Sequence, residues 1–276
     1  MITAVLLSVL SAILLAIGFL FAGVAGMTFA FIMALLINAI SYWYSDKIVL
    51  RMYRAKPAKD KELEDAVGAL ARDAGIPKPA VYVVPSDVPN AFATGRDPAH
   101  SAVAVTQGLR MLSKDEMHGV LAHEISHIKN RDTLVQTVAA TIAGAISYVA
   151  QIGYWSYFSG NDRERGSPLS LVLIVIFAPL AAMLIRLAIS RRREYAADFH
   201  GALITKKPHA LASALKKISA VSAENPLHGS PATSHMWIVN PFSEDWFVSL
   251  FSTHPPLSRR IAKLERMTGR EAEQSD

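Results

Sequence analysis

Residues 113–129 read SKDEMHGVLAHEISHIK, and this stretch decides the fold. Ser113 and Glu116 form an S-x-x-E capping box, and the apolar residues after it recur at helical spacing, so the sequence predicts a helix. That helix carries the H-E-x-x-H pattern of His123 to His127. Residues four apart share one face of a helix, so His123 and His127 can point two imidazole nitrogens at one metal ion about 2 Å away.

Glu124 gives this pattern its chemistry. A zinc ion held by two neutral imidazoles and one carboxylate keeps a position for water, lowers the pKa of that water towards about 7 and polarises a substrate carbonyl. Glu124 follows His123 directly, so its carboxylate is the predicted general base that takes the proton of the water. The alternative is a pair of surface histidines beside an apolar stripe, which the capping box and Glu124 disfavour.

A third protein ligand has to come from elsewhere in the chain. The extended H-E-x-x-H-x-x-G-x-x-H pattern fails, because Asn130 and Thr133 occupy the positions of its glycine and third histidine. Glu194 and Asp198 lie four residues apart, which suits Glu194 as a ligand and Asp198 as the acceptor that orients a ligating imidazole. From spacing alone, a solvated helix surface beside the arginines at 191–193 is an equal alternative.

The composition indicates a membrane protein. Hydrophobic residues make up 51% of the 276 residues, and the mean hydropathy is +0.27. Met1 to Phe21 and Met27 to Trp43 are apolar segments joined by a short turn, and the second ends in the interfacial aromatics at 42–44. They predict a transmembrane hairpin and not a signal peptide, since no small-residue cleavage site follows.

Charge and cysteine content narrow the function classes. Lysine and arginine residues cluster at 47–61, beside the hairpin, and this marks the cytoplasmic side. The net charge of +5 is concentrated beside apolar segments, which favours membrane lipid over nucleic acid as the partner. The chain has no cysteine, so disulfides, thiolate catalysis and cysteine zinc sites are excluded.

A second hairpin is predicted between the two parts of the metal site. Thr133 to Trp155 is apolar with several polar residues, so a buried soluble helix stays an alternative to a span. Leu169 to Ile185 is nearly pure aliphatic, and the polar stretch Gly160 to Ser167 joins the two. A two-span hairpin would bring Glu194 back to the membrane face on which His123 and His127 lie.

The remaining segments form a catalytic domain in two parts. A helix is predicted over Asp60 to Ala74, and strands of a small sheet over Ala80 to Val84 and Ser101 to Thr106. The predicted division is a transmembrane hairpin at 1–44, a first catalytic part at 45–132, a second hairpin at 133–190 and a second catalytic part at 191–276.

Four short segments stand in order along nearly the whole chain: Asn90-Ala91-Phe92-Ala93-Thr94-Gly95, His123-Glu124-Ile125-Ser126-His127, Glu194 to Asp198, and Thr253-His254-Pro255-Pro256. Together they resemble the HtpX family of membrane metalloproteases, relatives of the CAAX prenyl proteases. With the apolar segments, the resemblance implies a mainly α integral membrane protein, in which two transmembrane helical hairpins accompany a gluzincin-like metalloprotease domain with a small β-sheet.

The resemblance also implies roles for individual residues. His123, His127 and Glu194 become the ligands of one Zn²⁺ per chain, with Glu124 as the catalytic base and Asp198 in support. Substrate would lie along Asn90, Ala91, Phe92 and Ala93 and the adjoining edge strand, although Asn90 as a simple turn residue is equally open. His254 would stabilise an oxyanion or cover the open metal position, unless Pro255 and Pro256 only end a loop.

Two further features are open from the residues alone. The aromatic residues between Pro226 and Phe251 suit an interfacial loop, a mobile lid or core packing. The other histidines fit no ligand spacing and are interpreted as surface residues: His100, His118, His200, His209, His228 and His235.

The expected function is that of a zinc metalloendopeptidase in the bacterial inner (plasma) membrane, multi-pass, with its active site facing the cytoplasm. The resemblance alone implies misfolded or damaged membrane proteins as substrates, in stress response and quality control. The alternatives are a membrane-anchored zinc-binding chaperone or scaffold, and a prenyl-protein processing protease. No oligomer is predicted.

Overall fold

The computed structural model describes residues 2–139, 191–227, 231–241 and 255–273. The elements in these ranges are, in chain order, helix α1 (Ile2–Met52), strand β1 (Lys56–Pro57), α2 (Lys61–Ala74), β2 (Ala80–Val84), β3 (Ala91–Asp97), β4 (His100–Thr106), a 3-10 turn (Gln107–Met111), α3 (Lys114–Lys129), α4 (132–139), α5 (Arg191–Thr205), α6 (Pro208–Glu224), a second 3-10 turn (Pro231–Met236) and α7 (Leu257–Glu273). The described part is mainly helical, with one small sheet.

The sheet has four strands in the order β1-β2-β4-β3. β2 pairs with β4 in parallel, and β3 pairs with β4 antiparallel, so β3 lies at an edge. The two strands predicted from sequence are confirmed, and the segment at 90–95 between them adds a third. Gly95 is required in β3, because its φ is +133° and a Cβ there would lie 2.3 Å from the carbonyl oxygen of His100.

Helix α2 begins and ends where its sequence predicts, and α3 begins at its predicted capping box. Asp60 accepts from two backbone N–H groups at the start of α2, and Gly75 ends it with φ 73°. The capping box of Ser113 and Glu116 is present at the start of α3. Burial raises the pKa of Glu116, but hydrogen bonds from Lys217 and Ser213 on α6 outweigh it and hold the pKa at about 2.

Close helix packing around α3 depends on glycine. A Cβ at Gly201 of α5 would lie 2.9 Å from the backbone nitrogen of His123. On α3 itself, a Cβ at Gly119 would lie 3.1 Å from Leu211 of α6. These small residues let the helix axes approach closely, and α3 is buried from Gly119 to Ile128 between its neighbours. The central helix is therefore held rigidly where it carries the predicted metal ligands.

The α1 segment reverses direction near residue 23. Its helical geometry is interrupted at Ala22 and Gly23, where Gly23 has φ 57°, and the Asn38 amide donates to Ser11 Oγ at 3.0 Å. Residues 27 apart would be about 40 Å apart in a straight helix, so the two sides of the interruption lie alongside each other, as a hairpin requires. After the reversal α1 continues to Met52, past the predicted boundary at 44.

Within the described ranges, one helical segment is long and apolar enough to cross a membrane by length and composition. This segment is Ala22–Tyr44, with a mean hydropathy of 2.0. Most of the predicted second hairpin, from 140 to 190, lies outside the described residues. The count of two hairpins therefore stays a prediction.

The first residues of that predicted hairpin, α4 at 132–139, are packed inside the protein. The Thr137 hydroxyl lies 3.0 Å from the Thr94 hydroxyl of β3, and His235 Nε2 lies 3.0 Å from the Gln136 carbonyl oxygen. Thr133, Gln136 and Thr137 are all buried. The polar residues at the start of the segment therefore contact protein. Over these two turns, the segment is a buried helix, which was the alternative to a membrane span.

Candidate active site

Three predicted ligands converge in the interior between α3 and α5. His123 Nε2 lies 3.2 Å from His127 Nε2. The Glu194 carboxylate oxygens lie 3.5 Å from His127 Nε2 and 3.9 Å from His123 Nε2. All three side chains are at most 4% exposed. One ligand atom from each residue can be chosen so that the three lie within 4.8 Å of one another.

This geometry fits a small divalent cation. Ligand atoms that are 2.0–2.2 Å from a tetrahedral zinc ion lie about 3.4 Å from one another. The three separations between the nitrogen and oxygen atoms, 3.2, 3.5 and 3.9 Å, lie on both sides of that value. Two imidazole nitrogens that face each other across 3.2 Å need a proton or a cation between them. The donor set of two nitrogens and one carboxylate is one that zinc accepts.

A carboxylate stands behind each imidazole. His123 Nδ1 lies 3.0 Å from Asp198 Oδ1, and His127 Nδ1 lies 3.1 Å from Asp132 Oδ2. A carboxylate at Nδ1 fixes the tautomer that leaves Nε2 free for a metal, and it makes the imidazole a better donor. Asp198 thus occupies the position expected for orienting a ligating imidazole. Asp132 does the same for the other histidine.

Burial sets the protonation of the site. It raises the pKa of Glu124 to about 7; the charge of His127 and the backbone N–H of Ala93 oppose this rise, and the nearby Glu194 adds to it. Burial lowers the pKa of His123 to about 4. It also lowers the pKa of His127, but Glu194 and Asp132 outweigh it and raise that pKa to about 9. A carboxylate with a pKa near neutrality is suited to taking and returning a proton.

The site carries more buried acid than base. Four carboxylates, those of Glu124, Asp132, Glu194 and Asp198, are at most 4% exposed. Two arginines face them: Arg260 at Asp198 and Glu194, and Arg193 at 3.6 Å from Asp132. Buried charges require partners of opposite sign, and the proton that the raised pKa of His127 holds on its ring supplies part of the positive charge. A bound divalent cation would replace that proton and supply the rest.

The predicted substrate segment lies beside the reacting group. The backbone N–H of Ala93 in edge strand β3 lies near the Glu124 carboxylate, and the Ala91 carbonyl accepts from Ile238 N at 3.1 Å. The Asn90 side chain is buried, and its amide donates to the Val239 carbonyl at 2.8 Å. Phe92 is buried too. The structure thus brings the backbone of Ala93 to the site and places the side chains of Asn90 and Phe92 in the interior.

Comparison with known proteins identifies the family. The family described as Peptidase family M48 matches residues 57–268. The chain belongs to peptidase family M48. Relatives in this family named Protease HtpX homolog are 54% identical over 273 residues in Pyrococcus abyssi (96% of this chain and 94% of that one) and 51% identical over 270 residues in Desulfatibacillum aliphaticivorans (94% and 86%). These relatives identify the chain as a protease of the M48 family.

A solved structure shows the same fold at low sequence identity. The crystal structure of S. mikatae Ste24p aligns with a TM-score of 0.51 and 21% identity, over 92% of this chain. The chain spans 61% of the length of that protein. The likeness supports the fold of this M48 member, a mainly helical protein with a small mixed sheet.

Arg260 completes the site in this M48 protein, although no sequence motif marked it. It is 1% exposed, and its Nε and Nη2 donate to the two oxygens of Asp198 at 2.8 and 2.7 Å. Its Nη1 donates to the Ile238 carbonyl at 2.7 Å and lies 3.9 Å from Glu194. A bidentate pair of this kind fixes both partners. Arg260 therefore joins α7 and the segment around Ile238 to the metal site.

Asp132 is the second residue that sequence reasoning missed. Helix α3 ends at Lys129, and Arg131 adopts a left-handed conformation with φ 59°. This turn brings Asp132 back under His127 in place of continuing the helix. The available signal was a carboxylate just beyond the end of the H-E-x-x-H helix, which a purely helical spacing rule ignores.

Some of the remaining predictions concern residues outside the described ranges, and others can be compared with the structure. His254 lies outside the described residues, and so do His228 and 242–251 of the aromatic segment. Within 231–241, Trp237 and Ile238 are at most 2% exposed, so this part is core packing. The interpretation of His235 as a surface residue was wrong: it is 1% exposed, because its ring is enclosed at the Gln136 carbonyl of α4.

Proposed function

We propose that the protein is a membrane-embedded, zinc-dependent endopeptidase that cleaves misfolded or damaged membrane proteins. The convergence of His123, His127 and Glu194 around one small volume, with Glu124 beside them, is the observation that carries this proposal. Membership in peptidase family M48 supports the reaction class. The excess of buried carboxylates over arginines at the site supports a bound metal ion, and the His-His-Glu donor set supports zinc as the identity of that ion.

The three ligands would hold one zinc ion per chain, and Asp198 and Asp132 would keep the two imidazoles in the ligating tautomer. When bound, zinc supplies Lewis acidity towards a substrate carbonyl and makes a neighbouring water more acidic. Glu124 takes the proton of the attacking water while the water oxygen bonds to the carbonyl carbon. It returns that proton to the leaving amine as the C–N bond breaks, so the products are one carboxylic acid and one amine.

Substrate recognition is proposed to use the edge of β3. The free edge of a sheet can pair with an extended peptide through backbone hydrogen bonds, which tolerate many side chains. Such tolerance suits a protease of misfolded proteins. The backbone of Ala93 lies beside Glu124. A peptide that paired here would replace the bond from Ile238 N to the Ala91 carbonyl and would present its own carbonyls to the site. Asn90, Ala91 and Phe92 support this edge from the interior, and His254 is proposed to assist an oxyanion.

The membrane setting rests on the apolar segment of α1. Ala22–Tyr44 can cross a bilayer by length and composition, and the basic cluster at 47–61 follows it directly. Basic residues beside a span favour the cytoplasmic face. We therefore place the protein in the plasma membrane, multi-pass, with its active site facing the cytoplasm and lipid as a permanent neighbour. Its role would be quality control under stress.

The proposal is tested with purified full-length protein in liposomes. Zinc-loaded protein should cleave an unfolded membrane protein, a metal chelator should abolish cleavage, and added zinc should restore it. Binding of the unfolded substrate without any cleavage would overturn the proposal in favour of a chaperone or scaffold. A strict requirement for a prenylated peptide over the same plain peptide would overturn the proposed substrate class.

Asp132→Asn should weaken zinc binding about 10- to 100-fold, because the carboxylate behind a ligating histidine fixes its tautomer and raises its basicity. Competition with a chromophoric chelator measures this affinity directly, without reference to activity. Asp73→Asn, an exposed change on α2, is the matched control and should leave the affinity unchanged. Wild-type affinity in Asp132→Asn would remove Asp132 from the site.

A further inference from the structure

The tip of the catalytic sheet reaches α1 where its apolar segment ends. The Arg96 guanidinium, near the end of β3, lies 4.8 Å from the centre of the Trp43 ring. About two turns further along α1, Leu50 belongs to the same buried cluster as Phe92 of β3 and Ala102 of β4. The end of α1 and the hairpin of β3 and β4 are therefore in contact at two levels.

The first of these contacts lies at the predicted surface of the bilayer. The apolar segment Ala22–Tyr44 ends in three consecutive aromatic residues, 42–44, which are 39–54% exposed. Exposed Trp and Tyr residues at the end of an apolar segment are typical of the level at which hydrocarbon meets the lipid headgroups. Because Arg96 lies against Trp43, the catalytic sheet places a cation at this level.

A second cation comes from α1 itself. The Lys47 Nζ lies 5.4 Å from the centre of the Tyr44 ring, and Lys47 is exposed. Lys47 follows Trp43 by four residues, so the two lie on one face of the helix. Arg51, one turn later, is exposed as well. Cations from two separate elements, Arg96 and Lys47, thus stand beside adjacent rings.

Two acidic residues are close by, and they do not neutralise this site. Asp97 Oδ2 lies 3.6 Å from Arg96 Nε, but Asp97 also accepts from the His100 backbone N–H at 2.9 Å and lies 3.0 Å from the His100 ring nitrogen. Asp46 precedes Lys47 on α1, and Lys47 forms no ion pair with any described residue. The site therefore keeps positive charge for an anion.

We propose that this site binds the headgroup of one anionic phospholipid, with its phosphate held between Arg96 and Lys47. A guanidinium can hold two phosphate oxygens at once, and an ammonium adds a compact charge. The ring N–H of Trp43 is a further donor at headgroup level. The acyl chains would lie along Ala22–Tyr44. This lipid would join the catalytic sheet to the membrane helix, and the inference rests on the proposed membrane setting.

The test uses purified full-length protein in detergent with equal amounts of phosphatidylglycerol and phosphatidylcholine that carry the same acyl chains. Native mass spectrometry counts the lipids that each protein molecule retains. The wild type should retain one phosphatidylglycerol in preference to phosphatidylcholine. Arg96→Gln and Lys47→Gln should each weaken this binding about fivefold, and the double variant about 25-fold, since each basic residue contributes separately.

Two further variants serve as controls. Arg96→Lys keeps the charge and should retain most of the binding. Arg110→Gln removes an arginine that is paired with Asp60 beyond the opposite end of β4, and it should match the wild type. Equal retention of the two lipids by the wild type, or unchanged retention in the double variant, would overturn the proposal.

A competition experiment distinguishes a lipid from a free phosphate. Glycerol phosphate in large excess should leave the retained phosphatidylglycerol in place, because it lacks the acyl chains. Displacement by glycerol phosphate would show a simple anion site and overturn the lipid assignment. Cleavage of an unfolded membrane protein in liposomes of phosphatidylcholine alone tests the proposed function separately. Cleavage there without selective lipid retention would refute the lipid site and leave the protease standing.

Discussion

Glu124→Gln should keep its zinc and lose about 100- to 10,000-fold of its cleavage rate, the usual contribution of general acid–base catalysis. Glutamine has nearly the same shape, and its carbonyl oxygen can still lie near the N–H of Ala93, so the site geometry is preserved. It cannot take the proton of the attacking water at neutral pH. His123, His127 and Glu194 remain as ligands, so metal binding should be close to that of the wild type.

The experiment measures metal content and single-turnover cleavage of the same unfolded membrane substrate. Glu224→Gln makes the same chemical change on an exposed residue at the end of α6, and it should behave as the wild type. Full activity with full metal content in Glu124→Gln would contradict the role of Glu124. Loss of metal together with activity would instead make Glu124 part of the metal site and contradict the assignment of a pure base.

Glu194→Ala should lower zinc affinity more than the roughly 10- to 100-fold that follows from changing a residue behind a ligand, because it removes the ligand itself. The Glu194 carboxylate lies 3.5 Å from His127 Nε2 and is buried. A water molecule in its place could bind the ion but would not supply the lost negative charge. Removal of the carboxylate leaves Arg260 with less compensating charge and leaves two histidines to hold the ion. Activity should fall with the metal.

Three measurements separate this effect from misfolding. Zinc affinity is measured by chelator competition, metal content by elemental analysis, and the folded state by thermal unfolding of the metal-free protein. Glu194→Asp keeps the charge on a shorter side chain and should recover part of the affinity. Glu224→Ala, exposed on α6, should match the wild type. Wild-type affinity in a folded Glu194→Ala protein would show that the third ligand lies elsewhere.

Local patterns predicted the parts of the fold that depend on neighbours in sequence. The capping box at Ser113, the end of α2 at Gly75 and two of the strands are where their residues indicate. Caps, turns and helical spacing depend on contacts within about four residues, so a single stretch of sequence contains all the groups involved. His123 and His127 share a face for the same reason.

The assembly of the site depends on contacts that no local pattern contains. Asp198 and Arg260 are 62 residues apart, and the amphipathic pattern of α7 does not indicate which partner a charged residue on its buried face will meet. His235 is buried because α4 packs on the second 3-10 turn, 99 residues away from Gln136 in sequence. A residue's burial and its partner follow from how helices cross, and that is a property of the whole fold.

From its sequence alone, this protein has a capped helix with two histidines and a glutamate on it, an apolar segment able to cross a bilayer, and membership of a protease family by resemblance. The tertiary structure decided that Glu194 meets the two histidines, that Asp132 and Asp198 stand behind them, and that β3 passes beside Glu124. The physical reason is the range of the interactions: backbone hydrogen bonds and caps are local, whereas a metal site needs donors from separate helices whose approach is set by close packing at Gly201 and Gly119.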